Sequence, residues 1–195
     1  MIINNKIAYI HIPRTGGRIL CSNLMLNYKT TLYSWNAWVD FSNLSIQKNH
    51  QPASMYEDKL TKFTIVRNPY TRFLSTLKEL VDQGFKYSDE STLDDLLKFI
   101  DDDKNLTNIG SWLLPQNKFI DEGTKIWFFE DGLESMTFHS WLEENVGISL
   151  KKKTNKINSK FNPLVINDDL RLSQYFVDMV KDIYAEDFKK FNYTP

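Results

Sequence analysis

Two short stretches of the chain combine the residue types that proteins use to bind phosphate-like anions. In the first, "YIHIPRTGGRIL" at residues 9–20, an apolar stretch runs through two glycines into a helical pattern. Backbone N–H groups at the start of a helix lack intrahelical acceptors, and the helix dipole makes that end positive. Glycines let those amides approach an anion closely, while a hydroxyl and arginines add further donors. The candidate anion ligands are Arg14, Thr15, Gly16, Gly17 and Arg18. Taken alone, the stretch fits an anion site or a tight turn with solvated arginines.

The second stretch, "FTIVRNPYTRFLS" at residues 63–75, also joins a predicted strand to a predicted helix. Arg67 leaves the end of the strand, and Asn68 and Pro69 are typical of the start of a helix. Ser75 lies about two turns into that helix, on a face that can look back toward the strand end. An arginine and a hydroxyl that converge there suit a phosphate monoester. The alternative is a structural ion pair at Arg67 and an ordinary helix residue at Ser75. Arg72, in the same helix, is expected to face solvent or to pair with an acidic neighbour.

The pattern of apolar residues predicts the elements that must position both stretches. Strands are predicted over residues 6–12, 62–66 and 125–130, and helices over residues 17–28, 55–60, 69–84, 93–100, 138–146 and 170–191. Strands that alternate with helices predict an α/β fold with a central, mostly parallel sheet flanked by helices. Ligands of such sheets bind outside the carboxyl ends of the strands, so both stretches are expected to share one crevice.

Composition narrows the class of protein. A length of 195 residues and a hydrophobic fraction of 42% favour one domain, residues 1–195, with a real core. A net charge of -1 argues against a broad nucleic-acid-binding face. The single cysteine, Cys21, is interpreted as a packing residue, and it is compatible with a reducing compartment. No segment has the length and apolarity of a membrane span, so a soluble cytoplasmic protein is expected.

Both stretches resemble signatures of the sulfotransferase family. "HIPRTGG" resembles the 5′-phosphosulfate loop, usually H-I-P-K-T-G-G-T, of enzymes that use 3′-phosphoadenosine 5′-phosphosulfate as donor. "VRNP" and the following serine resemble the second signature, whose arginine and serine bind the 3′-phosphate; these fall on Arg67 and Ser75. The similarity is greatest to the carbohydrate branch, with its heparan and chondroitin enzymes and short bacterial relatives. The resemblance implies a P-loop-like three-layer fold, a nucleotide donor, and a hydroxyl acceptor on a carbohydrate or small metabolite.

Two residues depart from the family pattern. Arg14 stands in place of the usual lysine, and by resemblance it would meet the 5′-phosphate and the bridging oxygen. Arginine keeps the positive charge but cannot donate a proton to the leaving group. Arg18 stands in place of the usual threonine or serine. A nucleotide-binding protein of the same fold without turnover therefore remains an alternative.

A general base would assist attack by an alcohol, and histidine suits that role near neutral pH. The chain has three histidines, of which His11 lies in the predicted strand and is interpreted as a packing residue. His50 begins "HQPA", which resembles the family's H-x-x-A segment, whose histidine is the proposed base. The alternative is a loop histidine without a catalytic role.

Three further expectations complete the sequence-based hypothesis. No histidine, cysteine or carboxylate cluster has metal-ligand spacing, so no metal cofactor is predicted. A P-loop nucleotide kinase is the rival enzyme class, but the Lys-Ser/Thr pair that binds phosphate and Mg²⁺ is missing. The basic loop at residues 151–160 would cover the nucleotide or be solvated, and Tyr33, Trp35 and Trp38 would line the acceptor cleft or pack in the core.

Overall fold

The computed structural model describes residues 1–31, 38–41, 44–82, 110–151 and 174–195. The predicted helix at residues 93–100 lies outside the described residues, as do Tyr33, Trp35 and the side chain of Trp38. The same holds for residues 152–160 of the basic loop.

A five-stranded sheet carries the fold. The strands in chain order are β1 (Ile2–Ile3), β2 (Ile7–Ile10), β3 (Thr30–Thr31), β4 (Trp38–Phe41), β5 (Leu44–Gln47), β6 (Thr61–Val66) and β7 (Lys125–Phe128). The large sheet has the order β3-β1-β2-β6-β7, while β4 and β5 form a separate antiparallel pair. Pairing is parallel from β2 through β6 to β7 and antiparallel at β1–β2 and β1–β3. The sheet is therefore mixed, and the prediction of a mostly parallel sheet holds only for the part formed by β2, β6 and β7.

A tight turn accounts for the antiparallel edge. Asn4 and Asn5 both have positive φ, 50° and 55°, and the N–H of Lys6 donates to the carbonyl of Ile3 at 3.0 Å. Two consecutive left-handed residues match the twist of a hairpin, and asparagine tolerates that conformation better than other side chains. This turn folds β1 back onto β2 and includes Lys6, so the strand begins at Ile7. The predicted strand at residues 6–12 is observed as Ile7–Ile10.

Six α-helices are described. They are α1 (Gly17–Asn27), α2 (Pro69–Asp82), α3 (Gly110–Leu113), α4 (Met136–Trp141), α5 (Gln174–Ile183) and α6 (Ala185–Phe191). The predicted helices that begin at residues 17 and 69 are confirmed, and α4 continues into a π-helical segment, Leu142–Val146. A 3-10 turn, Ala53–Met55, replaces the helix predicted at residues 55–60. The helix predicted over residues 170–191 is broken at Tyr184, whose φ of -113° and ψ of 24° are not helical.

Both faces of the sheet are covered. Side chains that alternate along a strand point to opposite faces. On one face, Tyr9 and Phe63 pack with Leu20 of α1 and Phe138 of α4. On the other face, the buried cluster contains Ala8, Ile10, Val66, Phe119 and Phe191. The prediction of an α/β sheet flanked by helices is confirmed. Within the described ranges, no helix has the length and apolar character needed to cross a membrane.

Candidate functional site

The carboxyl ends of the three parallel strands lie at one edge of the sheet. The register pairs Ile10 of β2 with Thr64 of β6, and Val66 of β6 with Phe128 of β7. The first predicted anion stretch follows β2, and the second follows β6. The two stretches meet directly, because Nη1 of Arg67 donates to the carbonyl of Arg14 at 3.2 Å. The structure thus brings both sets of predicted ligands to the same edge.

The two glycines of the first loop are required by packing. Gly16 has a φ of +86°, and a Cβ there would lie 2.6 Å from Cδ1 of Leu133 and 2.9 Å from Cε2 of Phe129. A Cβ on Gly17 would lie 2.0 Å from Nε2 of His11. Since real Cβ contacts are never so short, each glycine lets another side chain pack directly against the loop backbone. His11 has the packing role that the sequence predicts.

Thr15 closes the loop from within. Its side chain is fully buried, and Oγ1 donates to the carbonyl of Ile12 at 2.8 Å. The hydroxyl that was expected to contact an anion is therefore bonded to the loop backbone, where it fixes the turn that precedes α1.

The side chain of Arg14 crosses from the first loop to α2. Its φ of 68° is a left-handed conformation that costs energy in a residue other than glycine. Nε and Nη2 donate to Oγ of Ser75 at 3.2 and 3.0 Å, and Nη1 donates to Oε2 of Glu79 at 2.7 Å. The guanidinium carbon lies 5.7 Å from the centre of the Trp112 ring. Arg14 therefore contacts the serine that the sequence assigned to a separate phosphate.

Arg18 lies on the first turn of α1 with 68% of its side chain exposed. Its Nη2 is 3.6 Å from Oε1 of Glu79, so this carboxylate contacts both arginines of the first loop. No sequence prediction included Glu79. The spacing in the sequence could have indicated that Glu79 lies beside Ser75, because Glu79 follows Ser75 by four residues and residues four apart share a helix face.

Arg67 is held at the end of β6 by its backbone and its side chain. The backbone N–H donates to Oε1 of Gln116 at 2.9 Å, and Nε2 of Gln116 donates to the Arg67 carbonyl at 2.8 Å. Nε of Arg67 donates to Oγ1 of Thr71 at 3.0 Å, and the guanidinium lies 4.5 Å from the centre of the Phe129 ring. Burial lowers the pKa of Arg67, and the nearby Glu130 opposes that shift. The side chain remains cationic, because arginine titrates far above neutral pH.

The start of α2 is capped from two directions. Oδ1 of Asn68 accepts from the N–H groups of Tyr70 and Thr71 at 3.0 and 3.4 Å, which confirms the predicted cap. Oε1 of Glu130, which follows β7, accepts from the N–H of Asn68 at 2.7 Å. Oε2 of the same carboxylate accepts from the hydroxyl of Tyr193 at 2.9 Å. Glu130 therefore joins β7, α2 and the segment after α6.

Arg72 was expected to face solvent or to pair with an acidic neighbour, and that expectation is wrong. The residue is 1% exposed and donates to three backbone carbonyls. The acceptors are Pro13 at 3.0 Å, Leu114 at 2.9 Å and Trp112 at 2.9 Å. Because the guanidinium is removed from solvent, it needs protein acceptors, and the three carbonyls accept one hydrogen bond each from Nε, Nη1 and Nη2. Arg72 ties the first loop to α2 and to the segment that follows α3.

His50 and His11 lie in contact beneath the first loop. Their ring centres are 4.8 Å apart at an interplanar angle of 78°, and His50 is only 5% exposed. Burial lowers the pKa of His50 to about 4 and holds the pKa of His11 well below its usual value. Nδ1 of His50 has no hydrogen-bond partner among the described residues. Both imidazoles are therefore neutral at pH 7, and each keeps one nitrogen that can accept a proton.

Cys21 behaves as the sequence predicts. Its side chain packs against the cluster on the α1 face of the sheet, and burial raises the pKa of its thiol to about 11. A thiol with so high a pKa is not a nucleophile at neutral pH. In the part of the chain that is described, no group of three or more histidine, cysteine or carboxylate side chains could hold a metal ion.

Comparison with known families covers almost the whole chain. A model described as the sulfotransferase family matches residues 3–194, which include both anion stretches, His50 and Glu130. Searches of curated proteins and of solved structures found no match.

Proposed function

Because this chain belongs to the sulfotransferase family and is a sulfotransferase, we propose that its donor is 3′-phosphoadenosine 5′-phosphosulfate. The acceptor is a hydroxyl group, on a carbohydrate or a small metabolite, as in the carbohydrate branch of the family. Residues 1–195 form one domain in this proposal, and the enzyme acts in the cytoplasm without a metal cofactor. The observation that carries the proposal is the direct contact between the two phosphate stretches through Arg14, Ser75 and Arg67.

The donor is bound at its two phosphorylated ends. The backbone N–H groups of Gly16, Gly17 and Arg18, at the start of α1, bind the 5′-phosphosulfate. Thr15 stabilises the loop through its hydrogen bond to the carbonyl of Ile12. Arg67 and the hydroxyl of Ser75 bind the 3′-phosphate. Support for this division comes from the position of Arg67, which leaves the end of β6 and is stacked on Phe129.

Arg14 supplies positive charge during transfer. The acceptor oxygen attacks sulfur in line with the bond that breaks, and negative charge builds on the leaving phosphate oxygen. A guanidinium stabilises that charge by hydrogen bonds, although it cannot give up a proton to it. Arg14 is suited to this role because it lies on the left-handed turn directly before Thr15 and the two glycines.

His50 acts as the general base in this proposal. A neutral imidazole is required to accept the hydroxyl proton, and the pKa of about 4 keeps His50 neutral throughout the physiological range. The ring lies against His11, which itself lies against Gly17, so His50 is one ring removed from the loop. A group with so low a pKa is a weak base, which suits a reaction in which sulfuryl transfer is well advanced before the proton leaves.

Radiolabelled transfer tests the proposal. Purified protein is incubated with the ³⁵S-labelled donor and a library of sugars and small alcohols, and calorimetry compares adenosine 3′,5′-bisphosphate with ATP. We expect labelled product, binding of the bisphosphate and weak binding of ATP, with activity retained in a chelator. Bisphosphate binding without transfer to any acceptor would support the binding-only alternative. Tighter binding of ATP than of the bisphosphate would overturn the donor assignment and favour kinase-like recognition.

A further inference from the structure

Glu79 places a negative charge inside the cluster that is proposed to bind phosphate. Its Oε2 lies 2.7 Å from Nη1 of Arg14, and its Oε1 lies 3.6 Å from Nη2 of Arg18. The side chains of Glu79 and Arg14 are 22% and 15% exposed, so this pair is only partly screened by water. Ser75, which shares the helix face with Glu79, accepts two further hydrogen bonds from the same guanidinium.

The geometry draws Arg14 away from the start of α1. Three of its nitrogens donate toward Ser75 and Glu79 on α2, although the residue belongs to the loop that precedes α1. A charge-assisted bond of 2.7 Å to a carboxylate is strong, and a phosphate that enters must replace it or share the guanidinium with it. The carboxylate also repels any anion that approaches Ser75.

We infer that Glu79 competes with the phosphate groups of the nucleotide for Arg14, and so determines how tightly the site holds anionic ligands. The inference rests on the proposed function, because it assigns Arg14 to a phosphate site. Glu79 is a positioning residue, since it acts through Arg14 and not on the reacting atoms. Because Glu79 competes for Arg14, the site binds both the donor and the bisphosphate product with lower affinity than the arginines alone would give. The lower affinity favours release of the product.

Substitution of Glu79 by glutamine tests this inference. Glu79→Gln keeps the size of the side chain and removes its charge, so Arg14 becomes available to the ligand. We expect adenosine 3′,5′-bisphosphate to bind about tenfold more tightly in calorimetry, the effect of one charge-assisted hydrogen bond. Glu122→Gln is the matched control, because Glu122 is exposed and precedes β7, at the opposite edge of the sheet. It removes the same charge and leaves the affinity unchanged.

A double-mutant cycle shows whether the effect passes through Arg14. In an Arg14→Met background, Glu79→Gln can release only Arg18, whose Nη2 is 3.6 Å from Glu79, so we expect most of the gain in affinity to disappear. A gain of undiminished size in that background would reduce the role of Glu79 to a general field effect and overturn the inference. Unchanged or weaker binding by the single variant Glu79→Gln would overturn it as well.

Inorganic pyrophosphate separates the inference from the proposed function. If the wild-type protein binds pyrophosphate but not the bisphosphate nucleotide, the donor assignment fails. Tighter pyrophosphate binding by Glu79→Gln then still supports competition for Arg14. If the wild-type protein binds the nucleotide, and Glu79→Gln alters the affinity for neither pyrophosphate nor the nucleotide, the inference alone fails.

Discussion

The guanidinium of Arg14 places two nitrogens on the hydroxyl of Ser75, at 3.2 and 3.0 Å, across 61 residues of sequence. One residue belongs to the loop after β2 and the other to the second turn of α2. In the family resemblance these residues serve opposite ends of the donor. Their contact means that a change at either end of the nucleotide site is expected to affect the other end.

Ser75→Ala is predicted to weaken binding of adenosine 3′,5′-bisphosphate by roughly tenfold, since one hydrogen bond to a charged group is lost. Binding of adenosine 5′-monophosphate, which lacks the 3′-phosphate, should weaken by a smaller factor in the same calorimetric series, because only the effect transmitted through Arg14 remains. Ser22→Ala is the control, because the Ser22 hydroxyl bonds the carbonyl of Arg18 within α1. An equal loss of affinity for both nucleotides would remove Ser75 from the 3′-phosphate site.

Gly17→Ala is predicted to destabilise the protein and distort the loop. The new Cβ would lie 2.0 Å from Nε2 of His11, and the ring has little room to move because it is buried and stacked on Tyr9. Overpacking of this kind costs about 1–3 kcal/mol in the free energy of unfolding, measured by denaturant titration. Gly123→Ala is the matched control, since the nearest atom to its Cβ, Oδ1 of Asp121, is 3.9 Å away. Equal stability of the two variants would contradict the packing of His11 on Gly17.

Arg72→Met is predicted to lower the free energy of unfolding by about 3 kcal/mol or more, since three buried carbonyls lose a donor. The loss should also loosen the first loop, because one of those carbonyls belongs to Pro13. Hydrogen exchange of the amides that follow Pro13 measures this second effect. Arg18→Met removes the same charge at a largely exposed position and should barely change stability. Similar stabilities for the two variants would show that Arg72 is not buried in solution.

The two junctions of the site could be predicted because their signals are local. Asn68 and Pro69 mark the start of a helix directly after an apolar strand, and Asn68 is observed as the cap. Gly16 and Gly17 mark the other junction in the same way. Parallel strands share a sheet edge, so the convergence of both stretches followed from the alternation of strands and helices. These short patterns predicted both the parallel pairing of β2, β6 and β7 and the common edge at which their carboxyl ends lie.

The contacts between the stretches could not be predicted, because they join residues far apart in sequence. Arg72 has a helical position that is equally compatible with solvent, and it is buried by tertiary contacts with the carbonyls of Pro13, Trp112 and Leu114. The break at Tyr184 has a similar origin. It lets α6 direct Asp187 to the N–H groups of Gln116 and Asn117, a tertiary requirement that overrides helical periodicity. The Asn4–Asn5 turn, in contrast, left a recognisable local signal in two consecutive asparagines.

Acid is predicted to destabilise the protein through His50. The pKa of His50 is about 4 in the folded chain and about 6.5 in the unfolded chain, so unfolding takes up a proton between these values. The contribution of neutral His50 to the free energy of unfolding is fully present above pH 6.5 and is lost as the pH falls toward 4. The loss is on the order of 3 kcal/mol, measured by urea titration across this range. His50→Leu should flatten this slope, and His11 and the N-terminal amine of Met1, whose pKa values are also lowered by burial, contribute to the slope that remains. An unaltered slope in that variant would contradict the burial of His50.

The pH dependence of transfer tests His50 as the base. Since kcat/KM reports the free enzyme, its acid limb should reflect the lowered pKa of about 4. We therefore expect no fall in kcat/KM near pH 6.5, over the range in which circular dichroism shows a folded protein. His50→Ala should lower kcat by about 10²–10⁴-fold and leave the affinity for adenosine 3′,5′-bisphosphate nearly unchanged. An acid limb near pH 6.5 that persists in His50→Ala would assign proton transfer to another group, because the substituted position no longer titrates.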